Sequence, residues 1–369
     1  MRLRGFMRKE WLQVMRDPSS LAIAFALPVI LLFIFGYGIS LDAKHVPVAI
    51  VVEAPSQEAT SFTGGFYNSP YFVPVAMNSI QEAIDALNRW DVNGIIWLKS
   101  DFSRSYLSRK TPPISVIVNG IDANTARLIE GYVSGVWTKW LETQAIQKGM
   151  RMTLPVKLDY RIWYNPAVRS RNFLVPGLFA IIMTLIGALL TALIIAREWE
   201  RGTMEALLVT PVTVREILLG KLAPYFILGM GGFGVSIFMA FFLFDVPLQG
   251  SFILLLACTA LFLITALGMG LLISTVSAGS QFVAAQAAII VTFLPAFLLS
   301  GFIFDITSMP GPIQAVTYLI AARYYVAILQ TLFLAGNVWS VILPNAAALA
   351  IMAFVFLFLV WRKTRKTLD

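Results

Sequence analysis

The chain has 369 residues, of which 58% are hydrophobic and only 13% are charged, and its mean hydropathy is +0.77. A soluble domain is about one quarter charged, so this composition predicts an integral membrane protein and excludes an ordinary soluble enzyme. One histidine, His45, and one cysteine, Cys258, exclude a disulfide framework and the usual zinc sites, so we expect no metal site.

The first seventeen residues predict an amphipathic helix that lies on the membrane surface. Its apolar face carries Leu3, Met7, Trp11 and Val14. Arg4 and Arg8 lie on another face. Asp17 can cap the next helix and Pro18 suits its first position, so the first span is expected to begin there. Two roles of the N-terminal helix stay open: contact with a cytoplasmic partner, or a basic anchor on anionic lipid.

Six apolar runs of about 20–25 residues are each long enough to cross a hydrocarbon core of about 30 Å as a helix. They are Leu21–Leu41, Asn172–Ala196, Leu222–Phe244, Ser251–Ser274, Gln281–Ser300 and Val341–Trp361. In the third run, Gly229–Gly234 fits a GxGxxG pattern but follows no strand, which predicts close helix packing. The interrupted segment 306–336 is interpreted as dipping into the membrane without crossing it. Within this region, Arg323 is expected to pair with Asp305 rather than to reach the outer surface.

The lysines and arginines of the short segments predict the orientation of the chain. The N-terminal segment, the connection between the second and third runs, and the C-terminal tail are all basic. Six crossings place all three on one side, which the positive-inside rule makes cytoplasmic. Residues 42–170 are then outside. Topology accounts for the net charge of +8, so no nucleic-acid partner is expected.

Between the first and second runs, alternating strand and helix patterns over about 125 residues predict one α/β domain with its own core. Strands are expected at Val46–Val52, Tyr71–Met77, Gly94–Leu98, Ile114–Asn119 and Val156–Trp163. Helices are expected at Ser79–Trp90 and Ile121–Lys148. The predicted fold class is therefore an α-helical polytopic membrane protein with six transmembrane helices and an inserted α/β extracytoplasmic domain.

The connection between the second and third runs contains a polar stretch, Arg197–Pro211, which holds five of the eleven charges in the region 172–361. Its local signals are a helix break at Gly202, a cap at Thr203, a stop at Pro211, and a capping box of Thr213 with Glu216. They predict a short, separately capped helix between two spans. A plain turn needs none of these signals.

No residue pattern for ATP binding or hydrolysis occurs in the chain. The sequence lacks a Walker A motif, to which Gly220-Lys221-Leu222 is the nearest approach, and it lacks a Ser–His–Asp constellation. The spans hold almost no ionisable residues, whereas an ion-coupled transporter keeps buried carboxylates at a cost of roughly 2.5–3.5 kcal/mol each. We therefore expect a protein that is not an enzyme and that receives energy from another subunit through Arg197–Pro211.

Three motifs stand in order along the chain: Lys9-Glu10 before Arg16-Asp17-Pro18, a first span ending in Phe35-Gly36, and Glu200-x-Gly202-Thr203-x-Glu205-x-Leu207-Leu208-x-x-Pro211. Together they resemble the type 2 ATP-binding cassette (ABC) exporter permeases. The sequence is similar, more narrowly, to the bacterial multidrug-efflux permeases that carry a large periplasmic domain after the first span. The resemblance covers the whole chain.

This resemblance implies a permease subunit that pairs with a second permease copy or paralogue as a dimer and with cytoplasmic ABC ATPase subunits. ATP and Mg would bind to the ATPase, and no cofactor is expected on this chain. The resemblance implies a coupling helix that contacts the ATPase through Arg197, Glu198, Glu200, Arg201, Gly202, Thr203, Glu205, Leu208 and Pro211. It implies a connecting helix beside the ATPase that contains Arg8, Lys9, Glu10, Arg16 and Asp17. Members with such a periplasmic domain often have a periplasmic adaptor and an outer-membrane channel.

The expected organisation is a connecting helix at 1–17, a first transmembrane helix at 18–41, a periplasmic domain at 42–170, transmembrane helices 2–6 at 171–361, with the coupling helix at 197–211 and the re-entrant segment at 306–336, and a basic cytoplasmic tail at 362–369. The predicted function is ATP-driven export of drugs or other amphipathic small molecules across the inner membrane into which the chain is inserted. Two alternatives stay open: a lipid or polysaccharide exporter of the same architecture, and a membrane-anchored sensor. The cargo, the identity of the partners and the choice between homodimer and heterodimer also stay open.

Overall fold

The computed structural model describes residues 2–38, 45–108, 114–120, 123–147, 169–200, 202, 213–277 and 280–363. The chain divides into two compact units. The membrane unit comprises Met1–Ser40 together with Ile162–Asp369, and the inserted unit comprises Leu41–Arg161. The predicted strand Val156–Trp163 and most of the predicted coupling helix lie outside the described residues.

Within the described residues, six helical segments are long and apolar enough to cross a membrane, which agrees with the predicted six spans; the count is seven if the bent helix pair between spans 5 and 6 also crosses. Spans 1 to 6 are Pro18–Gly38, Arg171–Glu198, Leu218–Phe242, Phe252–Val276, Gln281–Leu299 and Trp339–Lys363. The helices of spans 2 and 3 extend beyond these bounds, over Arg171–Glu200 and Val214–Phe242.

An N-terminal helix, Arg2–Met15, precedes span 1 as predicted. Span 1 is capped by Asp17, whose side chain accepts a hydrogen bond from the backbone amide of Ser19, and Pro18 occupies its first turn. Two spans contain a π-helical turn. Span 1 consists of Pro18–Leu21, the π turn Ala22–Ala26 and Leu27–Gly38, and span 5 consists of Gln281–Ala288, the π turn Ile289–Phe293 and Leu294–Leu299.

Span 2 lies at the centre of the membrane unit. In span 2, 88% of the residues in its most apolar stretch are buried. The corresponding shares in spans 1, 5 and 6 are 28%, 22% and 17%. Glycines allow the neighbouring helices to approach closely, since a Cβ atom at Gly270 of span 4 would collide with the backbone of Ala188 in span 2. A Cβ atom at Gly232 of span 3 would likewise collide with the carbonyl of Ala24 in span 1, so the glycine-rich run serves helix packing as predicted.

Between spans 5 and 6, the helix Gly311–Thr317 meets a second helical segment, Ala321–Ala335, at a bend of 85°. The second segment is an α-helix over Ala321–Gln330 and a π turn over Thr331–Ala335. Such a bent pair is either a broken span or a re-entrant loop. The second reading is the one that the sequence predicted for segment 306–336.

The predicted ion pair between Arg323 and Asp305 is wrong, because each side chain finds partners close to it in the chain. Arg323 donates hydrogen bonds to the hydroxyl of Thr317 and to a backbone carbonyl, and its guanidinium lies 3.7 Å from the ring centroid of Tyr318. Asp305 caps the short 3₁₀ turn Ile306–Ser308 and accepts hydrogen bonds from the amide and the hydroxyl of Thr307. These hydrogen bonds lower the pKa of the exposed Asp305 carboxyl.

The inserted unit contains four strands, β1 Val46–Val52, β2 Phe72–Met77, β3 Gly94–Leu98 and β4 Ile114–Val118, which confirms four predicted strands. They form one sheet in the order β2-β1-β3-β4, in which β1 is parallel to β2 and β3 while β4 is antiparallel to β3. The helices are Gln57–Tyr67, Ile80–Asn88, Phe102–Leu107 and Ala123–Gln147.

Helices cover both faces of this sheet and form two cores. The larger core joins Phe62 of the first helix and Trp140 of the last helix to β1 and β3. The smaller core packs Ala83 and Ala86 of the helix Ile80–Asn88 against the opposite face. The first and third helices of the unit were not predicted, because one contains two consecutive glycines and the other has only six residues.

Candidate functional site

The polar stretch begins inside the helix of span 2. Arg197, Glu198 and Glu200 belong to that helix, which continues to its last residue at Glu200. Gly202 has a φ of +66°, a left-handed backbone conformation that suits glycine and follows the end of the helix. The other predicted coupling residues, Arg201, Thr203, Glu205, Leu208 and Pro211, lie outside the described residues.

The predicted capping box at the start of span 3 is confirmed. The backbone amide of Thr213 donates to Glu216 over 2.8 Å, and the amide of Glu216 donates to the Thr213 hydroxyl over 3.3 Å. Both hydrogen bonds satisfy amides that the first helical turn leaves without a partner. The start of the helix of span 3 is therefore fixed by local sequence.

A buried charge cluster lies where the N-terminal helix, the end of span 2 and the start of span 3 meet. We define it as Lys9, Glu10, Glu198 and Lys221. The Lys221 Nζ atom lies 2.7 Å from Glu198 Oε1 and 3.7 Å from Glu10 Oε1. Lys9 Nζ lies 3.0 Å from Glu10 Oε1 and 3.6 Å from Glu198 Oε1. Two ammonium groups thus balance two carboxylates.

Burial decides how much this cluster matters. The side chains of Lys221 and Glu10 are 1% exposed and that of Glu198 is 4% exposed, whereas Lys9 is 51% exposed. Charges removed from water cost several kcal/mol each unless close partners compensate for the lost hydration. The three helices are therefore held to positions in which Lys221 reaches both carboxylates, because separation would leave a buried charge without its counter-ion.

Local sequence explains how each member comes to face the cluster. Glu10 stands four residues before Val14 on the N-terminal helix, so the two side chains share one face, and Val14 is also buried. Lys221 stands four residues before Tyr225 in span 3, and Tyr225 is buried as well. Burial would lower the pKa of Lys9, but the carboxylates of Glu10 and Glu198 outweigh it and raise that pKa, so the ammonium stays charged.

A second ion pair connects the N-terminal segment to span 2. The Arg197 guanidinium donates to Asp17 Oδ2 over 2.6 Å, and the Ser20 hydroxyl donates to the same oxygen over 2.6 Å. Burial by itself would raise the pKa of Asp17. Hydrogen bonds from Ser20 and Arg197, together with the positive charge of Arg197, outweigh burial and hold that pKa below its usual value.

Polar contacts also join the end of span 2 to spans 4 and 5. Glu200 accepts hydrogen bonds from the backbone amide of Gln281, over 2.7 Å, and from its side-chain amide. The Ser274 hydroxyl of span 4 donates to the carbonyl of Ala192 over 2.5 Å and accepts from the amide of Ala196 over 3.1 Å. The end of span 2 is thus in polar contact with the N-terminal helix, with the cap of span 1 and with spans 3, 4 and 5.

The structure brings together five of the residues that the sequence singled out: Lys9, Glu10, Asp17, Arg197 and Glu198. Arg8 and Arg16 are exposed. From the sequence, Lys221 was considered only as one of the basic residues that predict orientation and as part of an incomplete Walker A motif. The contacts of Gln281 and Ser274 were not predicted. The signal for Lys221 was present, since a lone charge at the edge of an apolar run needs a partner inside the protein.

Comparisons with known proteins agree with this architecture. The family model described as ABC-2 family transporter protein matches residues 18–362. The chain is 45% identical over all of its length to the Escherichia coli K12 protein named "Probable multidrug ABC transporter permease YbhS", of which 98% is covered. It is 27% identical to "Probable multidrug ABC transporter permease YbhR" of the same organism, over 93% of this chain and 94% of that protein.

A more distant match is the "Linearmycin resistance permease protein LnrN" of Bacillus subtilis strain 168, which is 22% identical over 71% of this chain and 73% of that protein. Together, the family match over nearly the whole length and the relatives show what kind of subunit carries this buried charge cluster. The chain belongs to the ABC-2 family of transporter proteins, in which it is a membrane permease subunit and the ATPase is a separate subunit.

Proposed function

We propose that this permease exports drugs or other amphipathic small molecules across the bacterial inner membrane, and that the segment 197–211 and the helix 1–17 receive movement from the ATPase. The observation that carries this proposal is the buried charge cluster, in which Glu198 and Lys221 flank the connection between spans 2 and 3 and Glu10 comes from the N-terminal helix. Both proposed contact elements are thus attached to the same buried charges.

The orientation belongs to the proposal. With six spans, the N-terminal helix, the connection 197–211 and the tail 362–369 share one side, and their basic residues favour the cytoplasm. The α/β domain at 42–170 is then periplasmic. The alternation of the spans supports this arrangement, because the charge cluster and the basic end of span 6 fall at the same end of the bundle.

The mechanism follows from the contacts of span 2. ATP and Mg, bound by the partner ATPase, supply the energy when the ATPase subunits close. Movement of the segment 197–211 acts on the end of span 2 at Arg197 and Glu198. The buried pair with Lys221 passes that movement to span 3, and the pair of Arg197 with Asp17 passes it to span 1. Alternating access then results from the joint displacement of these spans.

The partners and the cargo are proposed on the basis of the relatives. A second permease, identical or paralogous, completes a dimer, and a periplasmic adaptor with an outer-membrane channel would continue the path beyond the inner membrane. The words "multidrug" and "resistance" in the relatives' names support a drug cargo. Lipid or polysaccharide export by the same architecture is the closest alternative. A membrane-anchored sensor needs fewer spans and no ATPase contact.

Co-purification and a charge reversal together test this proposal. The permease should bring down a stoichiometric ATPase subunit and stimulate its turnover in lipid vesicles, which a sensor would not do. Glu205→Lys should abolish efflux at unchanged membrane insertion, because it reverses a charge in the proposed coupling helix. Glu142→Lys, an exposed reversal in the inserted unit, serves as the matched control and should export normally. Normal efflux by the Glu205 variant at a normal ATPase rate would reject the coupling role.

A further inference from the structure

A pocket of about 580 Å³ lies between the end of span 4 and the end of span 6. The described residues that line it are Leu272, Leu359, Arg362 and Lys363. Its volume falls within the range of roughly 300–1,000 Å³ that is typical of ligand sites. None of these four residues belongs to the buried charge cluster or to the proposed coupling helix.

The charged and the apolar residues of the pocket lie at different depths along span 6. Leu359 precedes Arg362 and Lys363 by three and four residues, so the three side chains share one helical face. At a rise of about 1.5 Å per residue, Leu359 lies about 4.5–6 Å further from the end of the span than the basic pair. Trp361, 43% exposed beside them, is the kind of residue that sits at the level of lipid headgroups.

The two basic side chains are available to an anion from outside the protein. Both residues are exposed, and the described part of the chain offers neither of them an ion pair or a hydrogen bond. Lys221 differs, since Glu198 neutralises its charge within the protein. A cationic rim above an apolar wall fits a molecule with an anionic head and a hydrocarbon tail.

We propose that this pocket binds an anionic phospholipid of the surrounding bilayer. Its phosphate lies between Arg362 and Lys363, where charge-assisted hydrogen bonds from a guanidinium suit a phosphate oxygen pair. An acyl chain lies along Leu359 and Leu272. Basic pockets between transmembrane helices are known to select anionic headgroups. A free phosphate ion would use the basic pair alone, so the leucine wall assigns the pocket to a lipid. This binding does not depend on the proposed export function.

Lipid titration of the full-length purified protein in a neutral detergent tests the proposal, with bound lipid counted by native mass spectrometry. Each basic side chain near a headgroup contributes roughly a fivefold preference for anionic lipid, so phosphatidylglycerol should bind about twentyfold more tightly than phosphatidylcholine. Arg362→Gln combined with Lys363→Gln should bring the two affinities to within about twofold. Leu272→Trp, which fills the pocket without changing its charge, should also weaken phosphatidylglycerol binding.

The control removes two basic residues elsewhere. Arg169→Gln with Arg171→Gln changes the net charge equally at the start of span 2 and should keep the wild-type preference. Equal loss in both double variants would show that overall charge, and not the pocket, attracts the lipid. Equal binding of the two lipids to the wild-type protein would also overturn the proposal. Displacement of bound lipid by excess inorganic phosphate would reassign the pocket to a free anion.

Discussion

The two ends of the membrane bundle treat charge in opposite ways. At the end where spans 2 and 3 are connected, Glu10, Glu198 and Lys221 are almost completely buried. The Lys221 ammonium lies within 3.7 Å of both carboxylates. At the other end, Arg169 and Asp245 approach to only 3.8 Å, with 58% and 93% of their side chains exposed. Among the described residues, both ends have an ion pair, but the pair of Glu198 with Lys221 is buried and the pair of Arg169 with Asp245 is exposed.

Buried ion pairs hold helices in fixed positions, whereas exposed charged residues mainly keep the end of a span hydrated. An exposed ion pair contributes about 0–1 kcal/mol, because water and salt already screen the two charges. A buried pair gains little relative to apolar packing, yet removal of one partner costs about 3–5 kcal/mol. The buried end is thus intolerant of change, and the exposed end is tolerant. Three predictions test that contrast, from the largest expected effect to the smallest.

The largest effect is expected from Lys221→Met. This substitution keeps the length of the side chain but removes the buried ammonium that lies 2.7 Å from Glu198 and 3.7 Å from Glu10. We expect the free energy of unfolding to fall by about 3–5 kcal/mol. Thermal unfolding of the purified protein in detergent measures the change.

A double variant distinguishes charge from packing at this position. Glu198→Gln combined with Lys221→Met removes one charge of each sign, so it should recover part of the loss, by about 1–2 kcal/mol. If the double variant is less stable than the sum of the two single variants predicts, the cluster is not held by charge. Arg169→Met at the exposed end, the matched control, should cost less than about 1 kcal/mol.

A smaller effect is expected from Asp17→Asn, and it should depend on pH. The folded-state pKa of Asp17 lies below its ordinary value, so its pair with Arg197 stabilises the fold above the unfolded pKa and loses this contribution as pH falls through the folded pKa. Near pH 7 the variant should be less stable by about 1–2 kcal/mol. Between about pH 5 and pH 2 the gap should close. A gap in melting temperature that stays constant across this range would assign the loss to something other than ionisation.

The smallest effect is expected from Asp245→Asn at the exposed end. The backbone of Asp245 has a φ of +51°, a region that asparagine also tolerates, and its carboxylate is 93% exposed. The melting temperature should therefore change by no more than the equivalent of about 0.5 kcal/mol. Added salt should not reverse the sign of this small difference in melting temperature between the variant and the wild-type protein. A loss comparable to that of the Lys221 variant would remove the contrast between the two ends.

Much of the fold was predictable because bilayer thickness and local hydrogen bonding impose it. An apolar run of about 20 residues has few uses besides crossing a membrane, so the six spans follow from composition. Asp17 and Thr213 cap helices through bonds within three residues, so both helix starts were readable. The unpredicted helix Gln57–Tyr67 has a Ser56 cap, but its two glycines hid it.

The candidate site was only half predictable, because its contacts join residues far apart in sequence. The motif around Glu200 and Gly202 directed attention to the connection that follows Glu198, yet no local pattern states that Glu10 reaches Lys221. Arg323 shows the same limit from the other side. An isolated arginine in an apolar stretch implied an acidic partner, but a hydroxyl, a carbonyl and an aromatic ring close by in the chain were sufficient.

The helix of span 2 has thirty residues, and at a rise of about 1.5 Å per residue it is about 45 Å long. The hydrocarbon core is about 30 Å thick, so about 15 Å of this helix stands outside it. Glu198 lies near the end of this helix, and its side chain is 4% exposed, so protein surrounds it. The helix of span 2 is thus longer than the hydrocarbon core is thick, and neighbouring helices surround most of it. In the proposed mechanism, a tilt imposed at its charged end is passed to every helix packed around it.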